Sequence, residues 1–312
     1  MQRLALFSNP RSRQNRIDPA LRTTLEGMLL PDDVSWQTVE ATDLEALPAR
    51  ILREEIGILA ILGGDGTFHL ALTSLLKALE PSQLPDILLL RGGTMNTVAR
   101  GLRLNAPPRA LLQRVQERRV AGALIPFLER RPLWVKDGLR EHGGFLFGTG
   151  LIAHFLEEYY RTPDVSPLVA AKTLGRAVWS VLAGGALADR LFRKTRMRLD
   201  GADGLWWEGE AQALLASTVE ELGLGFRPFF EASLDLDAFH AAIVMDASPG
   251  LVTALPSLWF GRRPRTPIWR DARMQRLRAS GDALPYTLDG ELYEAQGEIT
   301  LSLAAPLRLL RP

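Results

Sequence analysis

Ile61-Leu62-Gly63-Gly64-Asp65-Gly66-Thr67 follows an apolar run from Ile56 to Ala60, and this stretch decides how the rest of the chain is read. A second loop, Arg91-Gly92-Gly93-Thr94-Met95-Asn96, follows another apolar run from Ile87 to Leu90. Each run reads as a buried strand and each loop as the opening of a helix. Glycines let a backbone approach a ligand closely, and a helix N-terminus offers N–H groups to phosphate. Two such loops in consecutive strand–loop–helix units, one with an Asp between glycines, point to a nucleotide phosphate site holding a carboxylate.

The pattern continues outward from these loops. Leu4 to Ser8 reads as a strand, Asn9-Pro10-Arg11-Ser12 as a turn, Pro19 to Leu30 as a helix and Val34 to Val39 as a second strand. Asp43 is a candidate N-cap for a helix with Ala46, Leu47, Ile51 and Leu52 as its apolar face. Helices Phe68 to Leu79 and Met95 to Leu102 follow the two loops. Alternation with short connections over residues 1–125 predicts a doubly wound, mostly parallel sheet, whose ligands sit at the carboxyl ends of the strands. Ala106-Pro107-Pro108 and the segment up to Pro126 read as a hinge. Residues 126–312 have a different, β-rich texture. They contain a hairpin around Asp137-Gly138, another around residues 200–204, and strands at Ala241 to Met245, Ala283 to Leu288 and Glu298 to Leu303. A helical insert interrupts them near 166–192, and the extreme C-terminus is a candidate to pack back on the first domain.

Bulk properties remove several function classes. The 312 residues suffice for two domains with sizeable cores. A net charge of +1 argues against a dedicated nucleic-acid binder. The absence of cysteine excludes disulfides, thiol nucleophiles and cysteine metal sites. His69, His142, His154 and His240 show no ligand spacing, which argues against zinc. None of the four lysines follows a glycine in a Gly-Lys-Ser/Thr loop, so this is not a Walker-type NTPase. No signal peptide is evident, and the most apolar helical stretch, Leu168 to Leu187, carries Lys172 and Arg176 and falls short of a membrane span. A cytoplasmic protein is expected, peripheral at most on the inner membrane face.

Asp65 has two uses in a phosphate-cradling loop: to coordinate Mg²⁺ or to take a proton from an attacking hydroxyl. Thr67, Thr94 and Asn96 can cap their helices and also touch phosphate. Asp289-Gly290-Glu291 is by itself a hairpin turn. Beside the two loops it becomes a candidate source of the carboxylate that phosphoryl transfer needs.

Gly63-Gly64-Asp65-Gly66-Thr67, Gly93-Thr94-Met95-Asn96-Thr97-Val98-Ala99-Arg100 and Asp289-Gly290-Glu291 together resemble the three signatures of the diacylglycerol kinase catalytic-domain family, which includes bacterial lipid kinases and sphingosine kinases. Phe147-Gly148-Thr149-Gly150 and Gly225-Phe226-Arg227-Pro228 look like later landmarks of its second domain. The resemblance implies a nucleotide-binding α/β domain followed by a β-sandwich domain for the lipid substrate, with the active site between them. It implies that Asn9, Gly63, Gly64, Asp65, Gly66, Thr67, Gly93, Thr94 and Asn96 form the ATP site, with Thr38 as the ribose contact. It implies catalytic roles for Asp65, Asp289 and Glu291, and Mg²⁺ at Asp65 with an accessory metal region at Asp235 and Asp237. The chain departs from the family pattern at Arg13, Arg91, Thr97 and Ala238, where Gly, Pro, Asp and Gly are usual.

The expected activity is ATP- and Mg²⁺-dependent phosphorylation of a lipid hydroxyl, diacylglycerol being one example. An NAD kinase shares the Gly-Gly-Asp-Gly loop but not the second signature. A non-catalytic lipid- or nucleotide-binding relative would lack one of the carboxylates. From Trp259 to Arg278, Trp259, Phe260 and Trp269 are interleaved with Arg262, Arg263, Arg265, Arg270, Arg273, Arg276 and Arg278, with Asp271 the sole acid. That pattern suits peripheral contact with an anionic membrane; solvated Arg on sheet faces is the alternative. Neither the acceptor lipid nor the oligomeric state is legible in the sequence.

Overall fold

The computed structural model describes residues 1–312 apart from 39–40, 94–95, 103, 105, 162–171, 173–174, 176–190, 223–224 and 247–248. Thr94 and most of the helical insert expected at 166–192 lie outside the described residues. The chain divides into a unit of residues 1–131 with 305–312 and a unit of residues 132–304.

The first unit is a six-stranded sheet flanked by helices. Its strands are β1 (Arg3–Ser8), β2 (Val34–Gln37), β3 (Ile56–Gly63), β4 (Asp86–Arg91), β5 (Phe127–Arg130) and the last strand of the chain, Leu307–Leu310, in the order β2-β1-β3-β4-(307–310)-β5. Neighbours from β2 to β4 run parallel, with Phe7 opposite both Trp36 and Ile61, and Leu62 opposite Leu90. Ile58 to Leu62 are all buried, as expected of a parallel strand covered on both faces. The C-terminal strand joins β4 in parallel, with Leu309 beside Ile87, and β5 antiparallel, with Leu309 beside Leu128. This pairing keeps Phe127–Arg130 in the first unit, past the break expected at 125/126.

The described helices of this unit are α1 (Arg13–Ile17), α2 (Ala20–Glu26), α3 (Ala41–Glu45), α4 (Leu47–Arg53), α5 (Asp65–Ala78), α6 (Thr97–Gly101) and α7 (Pro108–Val120). The single helix expected from an Asp43 cap is two short ones, because Pro48 fits the first turn of a helix and not its interior. Leu47 and Ile51 are buried as expected, but Leu52 is exposed. The expected hinge at 106–126 is corrected by α7. Pro107 and Pro108 begin a helix there, and Leu111, Leu112 and Val115 enter the core with Leu88, Leu90 and Leu310. Asp33 anchors this helix. Its carboxylate accepts from Leu4 N–H and Leu30 N–H, each at 3.0 Å, and pairs with Arg119 at 2.7 Å.

The second unit is a ten-stranded antiparallel sheet. Its strands are β6 (Leu133–Lys136), β7 (Glu141–Gly144), β8 (Leu146–Thr149), β9 (Thr195–Gly201), β10 (Gly204–Ala211), β11 (Ala213–Ser217), β12 (Phe239–Val244), β13 (Trp269–Met274), β14 (Arg276–Leu288) and β15 (Glu291–Leu303); the C-terminal strand of the first unit is thus β16. The path runs β13-β12-β11-β8-β14-β15-β6-β7, and β9 pairs both β10 and β14. Leu133, Phe147, Leu199, Leu214, Ile243, Leu277 and Ile299, from across this path, share one buried cluster. The expected sandwich is therefore a single hydrogen-bonded sheet curled over one core. Helix α8 (Leu151–Tyr160) follows Gly150, whose φ is +57° and whose Cβ would lie 2.1 Å from the Gln212 carbonyl, so only glycine fits. Helix α9 (Pro249–Trp259) precedes β13. Among the described residues, no helix is long and apolar enough to cross a membrane.

Candidate functional site

In the first unit the sequence-predicted loops meet at the carboxyl ends of β1, β3 and β4. Gly92 N–H donates to the Gly63 carbonyl at 2.8 Å, and the two glycine pairs lie backbone against backbone. A Cβ on Gly93 would be 2.4 Å from Gly64 Cα, and one on Gly92 3.1 Å from Gly63 N. The glycines are thus required for one loop to rest on the other. Gly64 caps α5, placing Asp65, Gly66 and Thr67 in its first turn, ahead of the bond from Phe68 N–H to the Gly64 carbonyl. That helix end carries a partial positive charge suited to phosphate.

Asn9 ties the turn after β1 to the same place. Its N–H donates to the Leu62 carbonyl at 3.0 Å and its Nδ2 to Thr67 Oγ1 at 2.8 Å. Gln14 N–H donates to the Gly92 carbonyl at 2.9 Å, and Asn15 Nδ2 to the Asn9 carbonyl at 2.6 Å. Gln14 and Asn15 carry no motif signal; their part is visible only when α1 joins the Asn9 turn to the second glycine loop. Thr38 is buried just after β2, its N–H bonded to the Ser8 carbonyl at 2.9 Å, at the same end of the sheet. Asn96 adopts φ +49° and closes its own turn. Its Oδ1 accepts from Gly93 N–H at 3.0 Å and its Nδ2 donates to the Gly93 carbonyl at 2.9 Å. The amide therefore shapes the second glycine loop.

In the second unit, Asp289 and Gly290 form the turn between β14 and β15, with φ +52° and +93° and Leu288 opposite Glu291. This is the two-residue hairpin for which Asp-Gly is suited. The turn also does more. Buried Asp289 accepts from Phe145 N–H at 2.9 and 3.1 Å and from Leu146 N–H at 2.9 Å, and its own N–H donates to the Leu146 carbonyl at 2.9 Å. Gly144 makes room for it, since a Cβ there would be 2.7 Å from Asp289 Oδ2. Tyr160, at the end of α8, donates to the Gly290 carbonyl at 2.9 Å, a brace the sequence did not signal. Glu291, by contrast, is exposed at the start of β15. Burial, then the Glu291 and Asp289 carboxylates, push the Tyr293 hydroxyl far up, so this ring stays neutral.

The remaining carboxylates divide by surroundings. Asp235 Oδ1 accepts from Asp237 N–H at 2.8 Å, and Asp235 lies 3.7 Å from Arg273; both acids are exposed. Glu231, His240 and Asp271 bring one potential ligand atom each within 4.8 Å of the others. Here Arg263 lies 3.0 Å from Glu231 and 2.8 Å from Asp271, while Trp269 Nε1 donates to Asp271 at 2.9 Å. Burial raises the Asp271 carboxyl, but bonds from His240 and Arg263 outweigh it and hold it below the usual range. Arg263 thus already bridges both carboxylates of the group.

Solved structures share this architecture. One from Bacillus anthracis str. Sterne, provisionally named a diacylglycerol kinase, is 14% identical over 100% of this chain and 97% of its own, with a TM-score of 0.72. A yeast NADH kinase complexed with NADH is 11% identical over 100% of this chain and 84% of its own, at 0.52. An Archaeoglobus fulgidus NAD kinase in complex with ATP is 12% identical over 99% and 93%, at 0.50. The chain therefore has the fold common to lipid and NAD kinases. Within it, residues 3–124 match the diacylglycerol kinase catalytic domain, which bears out the resemblance drawn from the motifs. No curated protein matches the sequence.

Proposed function

We propose that the protein is an ATP-dependent lipid kinase that transfers the γ-phosphate to a hydroxyl of a lipid such as diacylglycerol. The observation carrying this reading is the joined pair of glycine loops at the N-terminus of α5, with Asp65 in that helix's first turn, inside a diacylglycerol kinase catalytic-domain match. The first-turn N–H groups suit the phosphates, with Asn9 and Thr67 as neighbours and Thr38 nearest the ribose. Mg²⁺, when bound, supplies charge neutralisation to the phosphates, and Asp65 is the residue suited to hold it. The proton acceptor is drawn from the Asp289-Gly290-Glu291 turn, where Asp289 is bound to backbone N–H groups and Glu291 is exposed. Positioning and charge stabilisation would supply most of the rate, as in phosphoryl transfer generally.

The test is transfer from γ-labelled ATP to a panel of diacylglycerol, sphingoid base, phosphatidylglycerol and NAD, with and without Mg²⁺. Label in a lipid, dependent on the metal, is the expected result. Label in NAD alone would move the protein to the other kinase class that shares this fold, and label in no acceptor would leave a binding relative.

A further inference from the structure

Many arginines in the Trp259–Arg278 stretch are committed within the unit. Arg263 pairs with Glu231 and Asp271, Arg273 with Asp235, and Arg278 with Glu298, while Arg270 lies over the Trp206 ring at 5.8 Å. Arg276, at the start of β14, is exposed without an ion pair among the described residues; Arg262 and Arg265, the other two left uncommitted, lie at the tip where α9 ends. Trp259 is 47% and Phe260 71% exposed, and the next turn carries exposed Arg262 and Arg265. Arg227 joins them from another loop. Its N–H donates to the Leu258 carbonyl at 2.8 Å, and its Cβ lies 3.4 Å from where a Cβ on Gly261 would stand. Arg227, Arg262 and Arg265 make no ion pair or side-chain hydrogen bond within the described chain.

This tip is braced. The Trp259 ring meets Phe226 edge-on at 4.9 Å and covers Gly225, whose φ is +86° and whose Cβ would come within 3.2 Å of that ring. Arg262 N–H donates to the Ser257 carbonyl at 2.8 Å, closing the turn that presents Phe260. No acid occurs from Ala247 to Arg270, and the neighbouring Glu231, Asp235 and Asp271 each pair with an arginine, Glu231 and Asp271 sharing Arg263 and Asp235 taking Arg273. The tip is thus a rigid aromatic end ringed by unpaired guanidinium groups.

We propose that this tip, Trp259 and Phe260 with Arg227, Arg262 and Arg265, docks on an anionic lipid bilayer. Aromatic rings rest at the headgroup level, where their apolar bodies leave water, and guanidinium groups beside them meet the negative surface. A neutral partner would use the rings and leave three desolvated charges unmatched. A soluble anion would use the charges and leave Phe260 exposed. A bilayer of anionic lipid satisfies both. The proposal goes beyond the kinase reading, because vesicle binding needs neither ATP nor turnover.

The experiment is co-sedimentation of the full chain with vesicles of phosphatidylcholine alone and of phosphatidylcholine with phosphatidylglycerol, at low and high salt. The wild type should bind the mixed vesicles and dissociate as salt rises. Each arginine near an anionic surface contributes on the order of fivefold in partitioning. Arg262→Ala with Arg265→Ala should therefore weaken binding about twenty-fivefold, and Phe260→Ser should weaken it on mixed vesicles at both salt concentrations. Arg278→Ala, which removes a paired arginine, should bind as the wild type does. Circular dichroism and melting temperature confirm that each variant is folded. Equal binding to both vesicle types, no binding at all, or full binding by the Arg262/Arg265 variant would overturn the proposal. Kinase turnover on detergent-dispersed lipid, measured separately, reports on the catalytic reading alone.

Discussion

Asp65 occupies the first helical position after Gly64, where the helix dipole favours an anion. The same helix end would receive phosphate, so two anions would share one patch of positive potential, and a cation held by the carboxylate resolves that repulsion. Asp65→Asn keeps the shape and removes the charge. Turnover should fall about a hundredfold or more, and wild-type turnover of that variant with every acceptor would end the assignment. Asp289 and Glu291 separate by a different pair of substitutions. In Asp289→Asn an amide –NH₂ can face the Phe145 or Leu146 N–H, so the melting temperature should drop by the equivalent of about 1–3 kcal/mol, together with turnover. Glu291→Gln should leave the melting curve in place and lower turnover about a hundredfold. If Glu291→Gln turns over normally, Glu291 is not the proton acceptor. Asn96 bonds Gly93 through both ends of its amide, a role in shaping the loop that its place in the motif did not specify.

Helix α7 depends on one buried ion pair. The side chains of Arg119 and Asp33 are 2% and 0% exposed, and Gln116 Nε2 also donates to Asp33 at 2.9 Å. Burial alone would raise the Asp33 carboxyl, but bonds from Arg119, Gln116, Leu30 and Leu4 outweigh it and hold it low. A carboxylate lowered by folding contributes stability that is full above its unfolded value and lost as pH falls through the folded one. Stability of the first unit should therefore decline as pH drops below about 4. Asp33→Asn leaves Arg119 buried without its counter-charge and should cost about 3–5 kcal/mol, read from denaturant unfolding. In that variant the acid dependence should also flatten; an unchanged pH profile would place it in other carboxylates. The hinge expected here shows how local punctuation misreads. Pro107-Pro108 is equally good as a linker or as a helix start, and only the burial of Leu111, Leu112 and Val115 separates the two.

The chain leaves its first unit at residue 131 and returns to it at 305. The returning strand β16 sits between β4 and β5, with Leu307, Leu309 and Leu310 at most 1% exposed. Removing residues 305–312 would expose the edge of β4, the strand that leads into the second glycine loop, and strip β5 of its partner. Loss of even one such buried leucine costs about 2–5 kcal/mol, so losing all three is comparable to the whole stability of an ordinary domain. The truncated protein should show no cooperative unfolding of the first unit and no ATP turnover. A truncation that melts like the full chain would mean that β16 is dispensable.

The parallel sheet, the glycine loops and the Asp-Gly hairpins were legible because their signals are local. Apolar runs bounded by glycine, and turns needing positive φ, depend on a few adjacent residues. Pairings between distant segments were not legible, since nothing in the spacing of Asp289 announces Phe145 and Leu146, nor that of Arg263 announces Glu231. The same holds for the arginine stretch, where sequence showed a run of charge and a spatially assembled set of acids decided which arginines stayed unpaired. The physical reason is that the backbone conformation a residue needs is set by its neighbours along the chain, whereas the partner of a buried charge or polar group is whichever residue folding brings within hydrogen-bond reach.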